Sequence, residues 1–342
     1  MRTLCLLAMG ALSLAVAPFG VAATGPVPDT MRAAAFDKAG GPEVLSLHQL
    51  PVPTPGATEV LIAVHAAGVA VWEADMRQHM SNRAPFPMVL GSDGAGRIVA
   101  RGSDVQGFKV GDEVYGTGIG FYAEYVKVRA DRIARVPKGL DLTQAGILAI
   151  SGLSALQGID DVLQLKAGQT LIIHGASGGV GTVAIQLAKL RGLKVLATAS
   201  TDEGLALARQ LGADAVVNGR TGDIAAAAKQ FAPQGVDAVL GLAGGEGLEH
   251  CIDALRPAQG RVAYMYGLEP IPRPRGNMRM ILYSFVGGTN ELERLNQAVQ
   301  AARLRVPVAA QYPLADAAAA HQRLQAGHLL GKIALIATGE NR

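Results

Sequence analysis

Ile172-Ile173-His174-Gly175-Ala176-Ser177-Gly178-Gly179-Val180-Gly181 is the stretch that decides the fold. The apolar run at 170–173 predicts a buried strand, and 180–190 continues with helix-like apolar periodicity. Between them lies a turn of small residues, the strand–turn–helix context in which glycines signify dinucleotide binding. Gly178 and Gly181 take the second and third positions of G-x-G-x-x-G, and Ala176 stands at the first. Gly178 lets the backbone approach a pyrophosphate, and Gly181 lets the helix pack closely on the strand. The free N–H groups of the first helical turn, around Ser177, Gly179 and Val180, would hold the phosphates. The competing reading is an ordinary tight βα turn. The flanking periodicity favours the dinucleotide.

Composition narrows the rest. At roughly 150 residues per domain the length allows about two domains. Apolar residues make up 49% of the chain, enough for a large core. The formal charge of +3 is too small to imply nucleic acid or an anionic membrane surface as partner. Cys5 and Cys251 cannot form a disulfide framework or a four-cysteine zinc site. His321 and His328 lie seven apart, as on one helix face, but no third ligand accompanies them. A metal site is not expected.

Residues 1–23 predict a secretory signal peptide. Met1-Arg2 is a short basic start, 4–16 is apolar, and Val21-Ala22-Ala23 offers a cleavage site. The apolar run is too short to span a bilayer, so no stable membrane span would remain after cleavage. Residues 24–30 would be an extended linker. The mature protein would be periplasmic or secreted. The alternative is a start at Met31 and a cytoplasmic protein.

From Met31 to Ser151 the chain reads as β-rich. Strand candidates are 32–36, 44–49, 59–66, 91–102, 112–116, 122–128 and 132–136, separated by glycine and proline turns. Five motifs run through this part: Lys38-Ala39-Gly40-Gly41-Pro42-Glu43-Val44-Leu45, Ala66-Ala67-Gly68-Val69, Pro87-Met88-Val89-Leu90-Gly91-Ser92-Asp93-Gly94-Ala95-Gly96, Gly107-Phe108-Lys109-Val110-Gly111-Asp112-Glu113-Val114 and Tyr122-Ala123-Glu124-Tyr125-Val126. In that order they resemble the medium-chain dehydrogenase/reductase superfamily, most closely its zinc-free quinone oxidoreductase (zeta-crystallin-like) branch. The resemblance implies an α/β protein with a GroES-like β-barrel catalytic domain at 31–151 and a Rossmann domain at 152–302. Residues 303–342 would return to the catalytic domain, leaving the active site in the cleft between the two.

Zinc alcohol dehydrogenases of this superfamily place a ligand cysteine just after Gly68-Val69 and a ligand histidine in a Gly-His-Glu triplet. Ala70-Val71-Trp72-Glu73 and Gly91-Ser92-Asp93 stand at those places, so the ligand set zinc requires is missing. Without a Lewis acid, an activated acceptor such as a quinone or enone suits the site better than an alcohol. The loop after Val69 borders nicotinamide and substrate in the family. Trp72, the single tryptophan, reads equally as a flat wall for a planar acceptor or as a core plug. Glu73, Asp93 and Tyr122 are candidate proton donors, each also readable as structural.

Beyond Ser151, apolar runs at 170–173, 194–199, 215–217, 236–240 and 261–266 alternate with helical stretches, which predicts a doubly wound parallel sheet. The resemblance assigns Ser154, in Gly152-Leu153-Ser154-Ala155, a place near the nicotinamide. Leu242, Gly244, Tyr266 and Gly267 fall at strand ends, where such folds bind ligands. After the second strand an NAD enzyme would carry an acid. Ser200 and Thr201 stand there instead, with Arg220 nearby, which resembles an NADPH pattern. Two usual supports are replaced: the family's lysine by Gly204 and its tyrosine by Gly219. NADPH is therefore expected, with NADH not excluded. In Gly331-Lys332, the lysine reads as a turn residue.

The expectation is an NAD(P)H-dependent reductase of quinones or α,β-unsaturated carbonyls, without zinc, in a family where homodimers are usual. The alternative is an exported dinucleotide- or ligand-binding protein of the same fold with little catalysis. Ala70, Gly204, Gly219 and Gly241 motivate it, and so does the lack of an evident nicotinamide supply outside the cytoplasm.

Overall fold

The computed structural model describes residues 26–81, 85–276 and 278–337. The expected signal peptide lies outside the described residues. Chain order in the first part is β1 (Thr30–Phe36), β2 (Ser46–Pro51), β3 (Glu59–Val69), α1 (Val71–His79), β4 (Met88–Val89), β5 (Asp93–Arg101), β6 (Glu113–Thr117), β7 (Tyr125–Arg129) and β8 (Ile133–Arg135). Two helices follow, α2 (Leu142–Gly146) and α3 (Ala149–Gln157). The first strand begins at Thr30, inside the expected linker, because its ladder with β2 reaches Thr30–Pro51.

The second part carries β9 (Thr170–His174), α4 (Gly179–Leu190), β10 (Lys194–Ala199), α5 (Asp202–Gln210), β11 (Ala215–Asn218) and α6 (Ile224–Phe231). It continues through β12 (Ala238–Gly241), α7 (Glu246–Asp253), β13 (Arg261–Met265), β14 (Arg279–Tyr283) and α8 (Thr289–Ala302). The chain closes with β15 (Val308–Pro313), α9 (Ala317–Gln325) and β16 (Lys332–Ile336).

β9 to β14 form a six-stranded sheet in the order β11-β10-β9-β12-β13-β14, with every pair parallel. In strand-number terms this is 3-2-1-4-5-6, the dinucleotide-binding order, whose switch point falls between β9 and β12. The central strands are buried on both faces, which is why they read as unbroken apolar runs. One core, with Ile173, Val183 and Leu295, covers one face; another, with Ile172, Leu248 and Ile252, covers the other. β16 pairs antiparallel with β3 and parallel with β15, so the chain's end rejoins the β-rich sheet. That sheet encloses Ile62, Ile98, Phe121 and Ile333.

Two expectations fail locally. Residues 71–79 form a helix rather than a loop; its buried residues are Glu73, Ala74 and Arg77, so no apolar stripe announced it. α9 ends at Gln325, so His321 and His328 do not share a helix face.

Candidate functional site

Two cavities meet at Gly175, the residue that follows β9. One, of about 610 Å³, lies over the ends of β9 and β10 and reaches Ser200, Arg220 and Gly244. The other, of about 300 Å³, runs from the glycine turn past Ala70 and Trp72 to Tyr266, Gly267 and Leu242. Their common edge lies at the switch point, where open α/β sheets bind ligands.

The turn is built for close backbone approach. Gly175 has φ +85, a region side chains rarely adopt. The buried Ala176 donates its N–H to the Thr198 carbonyl at 2.9 Å, pinning the turn to β10. A Cβ on Gly181 would sit 2.5 Å from the Gly175 oxygen. Gly178, Gly179, Val180 and Gly181 all line the second cavity, so the first turn of α4 opens into it. A side chain would fill this cradle, and its amide donors suit a pyrophosphate. The residues present fit a dinucleotide.

The opposite wall comes from the returning segment. The Gly331 N–H donates to the Ser177 carbonyl at 2.8 Å, so the last strand is bonded to the glycine turn itself. Lys332, next along, lines the second cavity while its Nζ lies 2.8 Å from each carboxylate oxygen of Asp93. Asp93 also accepts from the Ile150 N–H at 3.1 Å. Lys332 is thus a buried cation at the cleft, not the turn residue its sequence context predicted.

The expected proton donors do not line the cleft. Glu73 and Tyr122 are fully buried, and the Tyr122 hydroxyl donates to Glu73 Oε2 at 2.6 Å. Glu73 also accepts from the Ser92 hydroxyl and from the Ala70 N–H. Burial raises the Glu73 carboxyl and holds the Tyr122 phenol well above its usual value. Asp93 is buried and committed to Lys332. Helix α1 turns Glu73 inward, where these partners satisfy it. Trp72, one position earlier, remains 38% exposed on the cavity wall and is no core plug.

Ser154 lies on the buried side of α3, lining neither described cavity, and its Oγ has no partner. Ser151, three residues earlier, faces the second cavity instead. Thr201 caps α5 by accepting from the Gly204 N–H at 3.1 Å rather than lining a cavity. Ser200 and Arg220 do face the first cavity, together with His328, which sequence reasoning passed over. His174 also lines it; its Nδ1 lies 2.8 Å from Thr198 Oγ1, and burial pushes the ring down to about 4. Lys332 and His328 owe their places to tertiary closure, which left only the Gly331-Lys332 pair as a sequence signal. Among the described residues, no group of three or more His, Cys, Asp or Glu is placed to hold a metal. No described helix is long and apolar enough to cross a membrane.

Residues 56–138 match the alcohol dehydrogenase GroES-like domain family, and residues 211–335 match the family described as zinc-binding dehydrogenase. The chain is 34% identical over 323 residues to the quinone oxidoreductase of Homo sapiens, covering 90% of this chain and 98% of that protein. It is 29% identical to a 2-haloacrylate reductase of a Burkholderia species, over 90% of this chain and 99% of the relative. The structure of Escherichia coli quinone oxidoreductase complexed with NADPH superposes with a TM-score of 0.81 at 26% identity, over 89% of this chain and 99% of the other.

Proposed function

The chain belongs to the quinone oxidoreductase branch of the medium-chain dehydrogenase/reductase superfamily and is an NAD(P)H-dependent reductase, and from that premise we propose that it prefers NADPH and reduces quinones or α,β-unsaturated carbonyls without zinc. The observation that carries this reading is the continuity of the glycine-lined cradle with a largely apolar cavity walled by Trp72. When bound, the reduced nicotinamide supplies the hydride; the protein's part is orientation and exclusion of water.

Each wall has a task. The amides at the start of α4 hold the pyrophosphate, and the Lys332 stem, its ammonium paired with Asp93, walls the cavity beside them. Trp72, Ala70 and Leu329 offer a flat apolar surface to a planar acceptor. At the positions where zinc enzymes of the superfamily carry ligands, Ala70 has no donor and the Ser92 hydroxyl is spent on Glu73. This supports a reaction that needs no zinc, and the haloacrylate reductase relative supports an activated alkene as acceptor. The domains are taken as 31–151, 152–302 and 303–342. The β14 edge, with Leu282 exposed, is a surface suited to a homodimer. Residues 1–23 are taken as a cleaved leader; a mature chain beginning at Thr24 supports this, and one beginning at Met31 refutes it.

The reading is tested with NADPH deuterated at the transferable position and an enone acceptor. Deuterium on the acceptor carbon supports direct hydride transfer. Saturable NADPH binding without turnover of any quinone or enone would move the protein to the binding-protein alternative.

A further inference from the structure

Resting on the reductase reading and deepening it, we propose that His328 reads the ribose 2′-phosphate of the cofactor, and that the preference for NADPH over NADH is therefore set by pH. The end of the second strand of such a sheet is where the adenosine ribose is recognised. Here that end carries Ser200, and no Asp or Glu of α5 lines the cavity. Ser200 Oγ lies 2.7 Å from His328 Nδ1, and Arg220 Nη1 lies 3.5 Å from His328 Nε2. Three groups from three separate segments thus converge on one rim of the larger cavity.

The segment bearing His328 is fixed at both ends. Arg323 Nη1 donates to the Gly327 carbonyl at 2.7 Å, and the Gly331 N–H donates to Ser177 at 2.8 Å. His328 itself holds φ +52, a left-handed conformation few non-glycine residues adopt without a constraint. The imidazole lines the cavity from an exposed position on this loop.

Hydrogen-bond and charge chemistry then supply the coupling. A guanidinium carries only donors, so the ring nitrogen facing Arg220 can meet it only as an acceptor. A 2′-phosphate entering between Arg220 and His328 is all acceptor and needs a donor from each. A neutral ring can supply one from Nε2 if the Ser200 hydroxyl turns to donate to Nδ1; a ring that takes up a proton from solvent donates from both nitrogens and sets a positive charge against the phosphate, so phosphate binding favours the protonated ring. The free cofactor gains this contact only if it carries the phosphate. The other titratable groups on the cavity wall are His174, Glu246 and His250, with Arg323 beside the loop. His174, near 4, stays neutral throughout the range that matters.

The test is calorimetric titration of the full chain with NADPH and with NADH from about pH 6.5 to about pH 8.5, above the ~6 of the phosphate's own second ionisation. Buffers of different ionisation heat report the protons taken up. The expected result is an NADPH Kd that rises about tenfold over the window, an average of about half a proton taken up per cofactor, while the NADH Kd changes less than about twofold. His328→Gln should abolish the NADPH slope and leave the NADH Kd unchanged, which also shows that the site is intact. His328→Lys should bind NADPH tightly and without that slope. An NADPH slope that survives in His328→Gln, or no slope in the natural chain, overturns the proposal while leaving the reductase reading standing. Failure of both cofactors to bind at every pH overturns both.

Discussion

Lys332 Nζ lies 2.8 Å from both carboxylate oxygens of Asp93, across 239 residues of sequence and with both side chains almost wholly buried. This pair joins the last strand to β5 directly behind the cleft. The neighbouring Gly331 is hydrogen-bonded to the glycine turn, so the pair also fixes where that turn sits. Removing one partner strands the other charge away from water. Asp93→Asn is expected to cost about 3 kcal/mol, the lower end for breaking a buried pair. Urea unfolding measures it, and adding Lys332→Met to Asp93→Asn should recover part of the loss.

Gly181→Ala is expected to damage cofactor binding and packing together. Its Cβ would lie 2.5 Å from the Gly175 oxygen and 2.6 Å from the Ala176 Cα, both parts of a turn pinned to β10. Overpacking of this kind costs about 1–3 kcal/mol. A lower melting temperature with weakened NADPH binding is the expected pair of results.

Acid should weaken the fold over a defined window. Burial pushes His174 and His321 down to about 4, with Arg77 adding to the effect on His321. Their folded values lie below the unfolded ~6.5, so the unfolded chain binds more protons between them. Stability is then fully present above about 6.5 and lost as the pH falls towards 4, by as much as about 3 kcal/mol per histidine. Glu73 works in the opposite sense: its carboxyl is raised mainly by burial, so its contribution declines as pH rises above the ordinary ~4.3. Urea midpoints followed from about pH 6.5 down to about pH 4.5 should fall, and His321→Gln should make that fall shallower.

Restoring the two replaced cofactor supports should give unequal results. A Cβ on Gly204 would meet the Ala199 Cβ at 2.9 Å and the Ser177 Cβ at 3.1 Å, because α5 packs against the glycine turn. Gly204→Lys is therefore expected to destabilise without improving NADPH affinity. A Cβ on Gly219 would come no nearer than 3.2 Å to Thr198 Oγ1, with Thr198 Cβ at 3.3 Å and the His174 ring at 3.5 Å, next to open cavity. Gly219→Tyr should be accommodated and should tighten NADPH about tenfold, as one added hydrogen bond to a charged group allows. Parallel titrations of both variants check this.

Elements with a strong local period were legible in the sequence. β9, α4 and β10 could be read because central parallel strands are continuous apolar runs and the glycines have a fixed place between them. β14 was missed because it is an edge strand whose Arg279 and Leu282 remain exposed. α1 was missed because Glu73 and Arg77 occupy its buried face, a pattern opposite to an apolar stripe. At the site, Gly178, Gly181, Ser200 and Arg220 could be placed by local motif. Asp93 was singled out without its partner, and His328 was set aside, since both acquire their roles only when the chain's end returns to the cleft.

The most direct measurement of the central claim is the rate of NADPH oxidation by the purified chain with a simple quinone as acceptor, in metal-chelated buffer. The account predicts saturable, quinone-dependent oxidation that chelation leaves unchanged and that Gly181→Ala strongly reduces. Absence of quinone- or enone-dependent oxidation, in a chain that does bind NADPH, would contradict it.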